Sequence, residues 1–199
     1  MAVVLCSFAT GMSFENSSVS GDYGYCAAGY CAQHFAQMRM RSIKILTRKA
    51  TMNLILEQTD QVRFFTNMRE VIAALGISCS DYDWYVSDIE TNGFQFPEGW
   101  HPGSELESLI ANEDIQFIWA VFSAFPKGVR VDVGKAPYVD GNPHYWDGSE
   151  PGPQLDGASF EIACWDSSAT ILVGLDAEKA GSYRSTFSDT VDLKSAARK

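Results

Sequence analysis

Two carboxylates at an alternating spacing are the residues of this sequence best arranged for chemistry. Asp88 and Glu90 lie two positions apart in a segment with the composition of a β-strand, residues 82–90. Side chains two residues apart on a strand point to the same face, so both carboxylates would face the same way. Carboxylate oxygens are preferred Mg²⁺ ligands, and a bound metal ion can activate water and stabilise a leaving oxygen. The spacing raises the hypothesis of a metal-dependent hydrolase with Asp88 and Glu90 as ligands.

The hexapeptide D-I-E-T-N-G, which begins at Asp88, resembles the first motif of the DnaQ-like 3′–5′ exonucleases. The resemblance implies that Asp88 and Glu90 bind the catalytic metal ions. Such enzymes also need further Asp residues on later elements and a His a few residues before the last of them. Only His101 and His144 follow here, and Asp147 is too close to His144 for that role. The exonuclease is therefore an alternative and not the leading hypothesis.

The other residues of catalytic type have structural explanations. Cys164 falls in the middle of a predicted strand, where a buried thiol is expected, and His101 precedes Pro102 in a loop. Asp166 and the two serines after it are typical of a tight turn. The five cysteines match no usual zinc spacing, and no phosphate-binding glycine pattern occurs. The sequence predicts no catalytic residue, no metal site and no cofactor.

The charge of the chain is strongly negative and unevenly distributed. The net charge is -10, and because residues 1–51 carry +3, residues 52–199 carry -13. An acidic body repels nucleic acid and anionic membranes and attracts basic proteins. No apolar run reaches the roughly 18 residues that a membrane span needs, and reduced thiols explain the cysteines most simply. We therefore expect a cytoplasmic protein that binds a basic protein partner, and neither nucleic acid nor a membrane.

Acidic and aromatic residues occur together in two segments, residues 81–100 and 134–157. This combination suits recognition of a basic protein, because aromatic side chains anchor interfaces and carboxylates complement positive charge. The second segment is long and irregular, and is either a binding loop or a connection that its aromatic residues hold over the sheet. Trp84 is expected in the core. The predicted partner-binding residues are Asp81, Asp83, Asp88, Glu90, Glu98, Trp100, Tyr145 and Trp146.

The elements that would position these residues alternate between strands and helices. Strands are predicted at residues 53–58, 82–90, 115–125, 129–133, 160–165 and 169–175. One helix is expected between a cap at Thr59 or Asp60 and a stop at Gly76, and a second begins at a capping box formed by Ser104 and Glu107. A third helix follows a cap at Asp176. Together they predict an α+β fold with a mainly antiparallel sheet and two or three packed helices.

Residues 1–51 differ in character from the rest of the chain. A stretch rich in Gly, Ser and Tyr is followed by a basic run, and no helical or strand period persists. We expect a loosely structured leader upstream of a natural start at Met52, the alternative being a basic arm that binds nucleic acid or a partner. Residues 52–199 are predicted to form a single α+β domain.

The stretch from Phe160 to Leu193, together with Tyr82-Asp83-Trp84-Tyr85, is similar to small bacterial proteins of unknown function. Some of these resemble immunity proteins that neutralise secreted toxins. The resemblance implies a non-catalytic inhibitor that blocks a basic toxin by occlusion and charge complementarity. This is the leading hypothesis, and a structural or adaptor domain without a catalytic site is a further alternative.

Overall fold

A computed structural model describes residues 51–198 and shows a seven-stranded sheet with three α-helices. The strands are β1 (Met52–Glu57), β2 (Tyr82–Thr91), β3 (Gly99–Pro102), β4 (Phe117–Pro126), β5 (Phe160–Trp165), β6 (Ala169–Leu175) and β7 (Val191–Asp192). The helices are α1 (Met68–Leu75), α2 (Gly103–Asn112) and α3 (Ala177–Thr186). The strand order is β3-β2-β4-β5-β6-β1-β7, and every neighbouring pair is antiparallel. The predicted α+β class is confirmed.

The leader predicted at residues 1–51 lies, except for Thr51, outside the described residues. The described residues, 51–198, all belong to one compact unit. Within residues 51–198, no helix has the length and apolarity needed to cross a membrane.

One face of the sheet packs against all three helices. Alternate strand residues such as Trp84 and Phe122 form one buried cluster with helix residues such as Leu75 and Tyr183. The Trp84 indole is fully buried, and its Nε1 donates a hydrogen bond to the Cys79 carbonyl at 3.0 Å. A buried indole that keeps a partner for its N–H stabilises a core without a desolvation penalty, as expected for Trp84.

The opposite face is covered by the irregular segment 134–157 and by a turn near the C-terminus. Val139 and Tyr145 of the segment are buried and pack with Ile171 of the sheet and Leu193 of the turn. The segment is thus packed on the sheet, as one of its two predicted roles requires. The central strands are thus covered on both faces, which explains why β4 is almost wholly apolar.

Helix α1 begins later than the sequence predicts. Asn67 caps it by accepting a hydrogen bond from the backbone N–H two residues on, at 3.1 Å. The predicted cap at Thr59 or Asp60 is wrong, because Thr66 has a φ of 67°, a left-handed conformation that an α-helix cannot contain. Gly76 ends the helix at a φ of 68°, as predicted.

The capping box predicted for α2 is also wrong. The residue before the helix is Pro102, and no side chain caps this end. Because the helix begins at Gly103, Ser104 is already inside its first turn and cannot cap it. Glu107 instead accepts a hydrogen bond from the Ser78 hydroxyl at 2.7 Å, which ties α2 to the turn before β2.

Residues 129–133 do not form the predicted strand. β4 is already paired with β2 and with β5, so the chain that turns back after it finds no free edge. The Gly128 N–H bonds the Asp83 carboxylate at 2.9 Å instead, and Val129 remains 40% exposed. The alternation of valines with charged residues here belongs to an extended loop.

The C-terminal elements agree with the sequence analysis. β5 and β6 have the predicted bounds, and the turn between them places Asp166 and Ser167 at positive φ values of 45° and 50°. Asp176 caps α3 by accepting the Lys179 N–H at 3.0 Å. Tyr183 faces the core from this helix.

Candidate functional site

A β-bulge separates the two carboxylates of the hypothetical metal pair. The register of β2 against β4 shifts both before and after Glu90, and Asp88 has a φ of 54°. One oxygen of Asp88 accepts the N–H groups of Val139 and Asp140, at 2.6 and 3.0 Å. Glu90 is exposed. Among residues 51–198, no group of three or more His, Cys, Asp or Glu could hold a metal ion. Asp88 therefore fastens the segment 134–157 to the sheet.

We expect Asp88→Ala to lower the free energy of unfolding by about 2 kcal/mol, because two backbone N–H groups lose their acceptor. The matched control is Glu90→Ala, which removes an exposed carboxylate and should change stability by less than about 0.5 kcal/mol. Chemical denaturation measures both values. Equal losses in the two variants would contradict the anchoring role. Mg²⁺-dependent DNA cleavage that both substitutions abolish would instead favour the exonuclease hypothesis.

The other predicted acidic residues each have a local role. Asp81 closes a 3₁₀ turn by accepting the Ser78 N–H at 3.1 Å, and Asp83 is nearly buried against Gly128. Glu98 accepts the N–H of Ile89 at 3.2 Å. Asp81 and Asp83 lie near the start of β2, whereas Glu90 lies near its end, where Glu98 bonds the neighbouring residue Ile89. The structure therefore divides these carboxylates between the two ends of the strand.

Trp100 packs against two other aromatic rings of the sheet. Its ring lies 5.4 Å from that of Tyr85 and 4.9 Å from that of Phe125, measured between centroids. The Arg130 guanidinium lies 5.5 Å from the Trp100 ring centroid. Side chains of the same chain therefore already occupy much of the surface of this indole.

A row of side chains crosses five strands at the end of the sheet where β2 finishes. The strand register pairs Glu90 with Trp119, Trp165 with Ala169, and Ala169 with Glu57, while the rings of Trp119 and Trp165 meet at 5.1 Å. We call these five residues the tryptophan row. Directly opposite residues of antiparallel strands point to the same face. The row therefore sets two partly exposed indoles between two carboxylates.

Trp146 and Tyr145 lie over this row. The ring centroids of Trp146 and Tyr145 are 4.8 and 6.4 Å from that of Trp165. The Arg198 guanidinium lies 3.8 Å from the Trp146 ring centroid and donates a hydrogen bond to the Glu57 carboxylate at 3.1 Å. Of the predicted partner-binding residues, the structure thus brings Glu90, Tyr145 and Trp146 to one end of the sheet. Asp88 and Glu98 lie at the same end, where their carboxylates bond backbone N–H groups.

A buried carboxylate lies beneath the segment 134–157. Glu161 on β5 has no exposed surface, and one of its oxygens accepts the Ser123 hydroxyl at 2.9 Å and the Gln154 N–H at 2.8 Å. The Gln154 side chain in turn donates to the Tyr145 hydroxyl at 3.1 Å. Burial raises the pKa of Glu161 to about 7. Because no substrate can reach a fully buried group, Glu161 fastens the segment to the sheet and does no acid–base chemistry on a ligand.

The candidate thiol and imidazole are also structural. Cys164 is fully buried, and burial raises its pKa well above the ordinary thiol range, so it is not a nucleophile. The His101 ring bonds the Pro97 carbonyl at 2.8 Å and packs against Phe96. Asp166 lies in the turn between β5 and β6, as predicted.

No protein-family model, curated protein or solved structure matches the chain. Its function has to be argued from its own residues. The tryptophan row and Trp146 combine partly exposed aromatic rings, which are enriched in protein interfaces, with carboxylates, which complement positive charge. We therefore treat them as the candidate functional site.

Sequence reasoning missed Trp119, Trp165 and Glu57. Trp119 lies in an apolar run predicted to be buried on both faces, and its partial exposure comes from its place near the start of β4. Trp165 and Glu57 end their strands, where side chains emerge from the covered part of a sheet. Strand ends were the available signal, but only the pairing register aligns these residues.

Proposed function

We propose that this chain is a non-catalytic binding protein that recognises a basic protein by occlusion and charge complementarity. In this proposal it acts in the cytoplasm, needs no cofactor, and has the role of an immunity-type inhibitor whose target is a basic toxin. The observation that carries the proposal is the imbalance of charge. The positive side chains of residues 51–198 all contact other groups of the same chain, whereas negative side chains are in large excess.

Nine Lys and Arg residues lie between positions 51 and 198, against 23 Asp and Glu. Each of these cations contacts a carboxylate, a backbone carbonyl or an aromatic ring of the same chain. They are Arg63, Arg69, Lys127, Arg130, Lys135, Lys179, Arg184, Lys194 and Arg198. The uncompensated charge of the surface is therefore negative, which favours and speeds encounter with a positively charged partner.

The tryptophan row provides aromatic side chains that can contribute binding energy in addition to the attraction between charges. Trp and Tyr dominate the binding energy of protein interfaces, because they bury a large area and lose little side-chain entropy. Glu90 and Asp166 are exposed, the first opposite Trp119 and the second directly after Trp165. Aromatic anchors flanked by carboxylates support a contact surface for a basic protein at this end of the sheet.

The test is capture of partners by the full chain, first at low and then at high salt. We expect a basic protein to be retained at low salt and released as salt rises, because salt screens contacts between exposed charges. Failure to retain any basic protein, or retention that does not depend on salt, would contradict the proposal.

Charge reversal then locates the contact. Glu90→Lys should weaken the captured complex roughly tenfold, whereas Glu178→Lys on α3 should weaken it less than about threefold. Both substitutions change the net charge equally and both positions are exposed, but Glu178 lies on the helix-covered side of the sheet. Calorimetric titration of each variant with the purified partner measures the two dissociation constants. Equal weakening would show that only net charge matters and would remove the row from the interface.

A further inference from the structure

The chain contains its own example of how an arginine binds at the tryptophan row. The Arg198 guanidinium lies over the Trp146 ring, 3.8 Å from its centroid, and its Nη2 donates to the Glu57 carboxylate at 3.1 Å. Its backbone N–H also donates to the Trp146 carbonyl at 2.9 Å. One indole face and one carboxylate thus hold a guanidinium at one end of the row.

The other end of the row presents the same two groups. Trp119 is partly exposed, and Glu90, its direct neighbour across β2 and β4, is exposed. Asp166 adds a second exposed carboxylate after Trp165, and the N–H of Ser167 bonds the Ile118 carbonyl, which holds this turn beside β4. No Lys or Arg among residues 51–198 makes an ion pair with Glu90.

Arginine fits these groups better than lysine. A guanidinium is planar, so it can stack on an indole while its N–H groups donate to a carboxylate that lies in the plane of the guanidinium. It is also more weakly hydrated than an ammonium and loses less on contact with an aromatic surface. The geometry at Arg198 shows both contacts formed at once.

We propose that Trp119 and Glu90 form a binding site for an arginine side chain of the partner, built like the site in which Trp146 and Glu57 hold Arg198. The inference rests on the proposed function, because it takes the partner to be a basic protein. It adds the chemical class of the group recognised and the two residues that recognise it. Asp166 contributes long-range attraction to the same cation.

The experiment titrates the full chain with Nα-acetyl-L-arginine amide and, separately, with the lysine analogue at constant ionic strength. The tryptophan indole N–H signals are followed by NMR and assigned with single Trp→Phe variants. We expect the arginine derivative to shift the Trp119 signal saturably, with a millimolar dissociation constant, and the lysine analogue to bind more weakly. Glu90→Gln should weaken arginine binding about fivefold, the effect of losing an exposed ion pair of about 1 kcal/mol.

Two control variants make the outcome decisive. Glu178→Gln removes an equivalent exposed charge far from the row and should leave the Trp119 titration unchanged. Arg198→Ala vacates the Trp146 and Glu57 site, so the Trp146 signal should then also respond to the arginine derivative. A Trp119 signal that arginine does not shift, or a Glu90→Gln variant that binds as well as the original, would overturn the inference. If arginine binds at Trp119 but no basic protein is captured, the site stands and the proposed function falls.

Discussion

Replacing Glu161 by Gln is expected to stabilise the protein by on the order of 3 kcal/mol at about pH 8 and by less than about 1 kcal/mol at about pH 5. Glu161 is fully buried on β5, where its carboxyl holds the hydroxyl of Ser123 and the backbone of Gln154. Gln has the same shape and can accept the same two hydrogen bonds, but it carries no charge at any pH.

The sign of this change in stability follows from the pH at which the carboxyl loses its proton. Burial raises the pKa of Glu161 from an ordinary value of 4.5 to about 7 in the folded protein. Between these values the unfolded chain binds fewer protons than the folded one, so the free energy of unfolding falls as pH rises. The protonated Glu161 carboxyl makes its full contribution to the free energy of unfolding below the lower pKa, and this contribution is lost as pH rises through about 7. A shift of this size corresponds to about 3 kcal/mol at 1.4 kcal/mol per unit.

Urea denaturation of both proteins between about pH 5 and pH 8 measures the difference as a function of pH. Glu178→Gln, at an exposed position on α3, is the control, because it makes the same substitution without removing a buried carboxyl. If the Glu161→Gln variant were no more stable than the original at the upper pH, the buried carboxyl would not be the source of the pH dependence. Since Gln154 also bonds Tyr145, ionisation of Glu161 should loosen the segment 134–157 first.

The parts of the fold that the sequence predicts are those set by residues close together along the chain. β5 and β6 are apolar runs bounded by a polar turn, and Asp176 follows directly with the side chain that caps α3. Each of these signals needs only its own neighbours to take effect. Their bounds therefore match the structure, as does the central apolar strand β4 to within two residues at its start.

Predictions that depend on distant partners were less successful. Residues 129–133 alternate like a strand, but whether a strand forms depends on a free sheet edge, and β4 has none. Glu107 fits a capping box in the sequence, but the Ser78 hydroxyl competes for it from before β2. The bulge at Asp88 likewise appears only when β2 is paired with β4. In each case the deciding contact lies far along the chain.

The candidate site has the same limitation. Trp146 and Glu90 could be chosen from the sequence because they are aromatic and acidic residues in promising segments. Trp119, Trp165 and Glu57 come from three different strands, and their alignment with Glu90 depends on the register of four strand pairs. One sequence without that register predicts the kinds of residues in the site but not which of them meet.

The second large effect concerns a glycine that the sequence analysis passed over. Gly103→Ala is expected to lower the free energy of unfolding by more than about 3 kcal/mol, because the space for the added methyl group is filled by backbone. A Cβ at Gly103 would lie 2.0 Å from the Cys79 carbonyl oxygen and 2.2 Å from that of Tyr82. Neither oxygen belongs to a flexible side chain, so either α2 or the turn before β2 has to move.

That movement would reach the core. The Cys79 carbonyl also accepts the indole N–H of the buried Trp84, so displacing it strains a hydrogen bond inside the helix-covered face. Gly181→Ala is the matched control: Gly181 lies within α3, and a Cβ there meets nothing within 4 Å. Alanine in a helix interior is more stable than glycine by up to about 1 kcal/mol, so this variant should be slightly stabilised.

Thermal and urea denaturation of the two variants separate the steric effect of the methyl group from its helix propensity, because the same substitution is made in two helices. Opposite signs of the two changes are expected. If Gly103→Ala were as stable as the original protein, α2 would not be packed against the Cys79 turn as closely as the structure shows. The tie between these elements fixes the start of β2, and through β2 the position of Glu90 in the tryptophan row. Close packing at a glycine near one end of the strand is therefore part of what places Glu90 beside Trp119 at the other end.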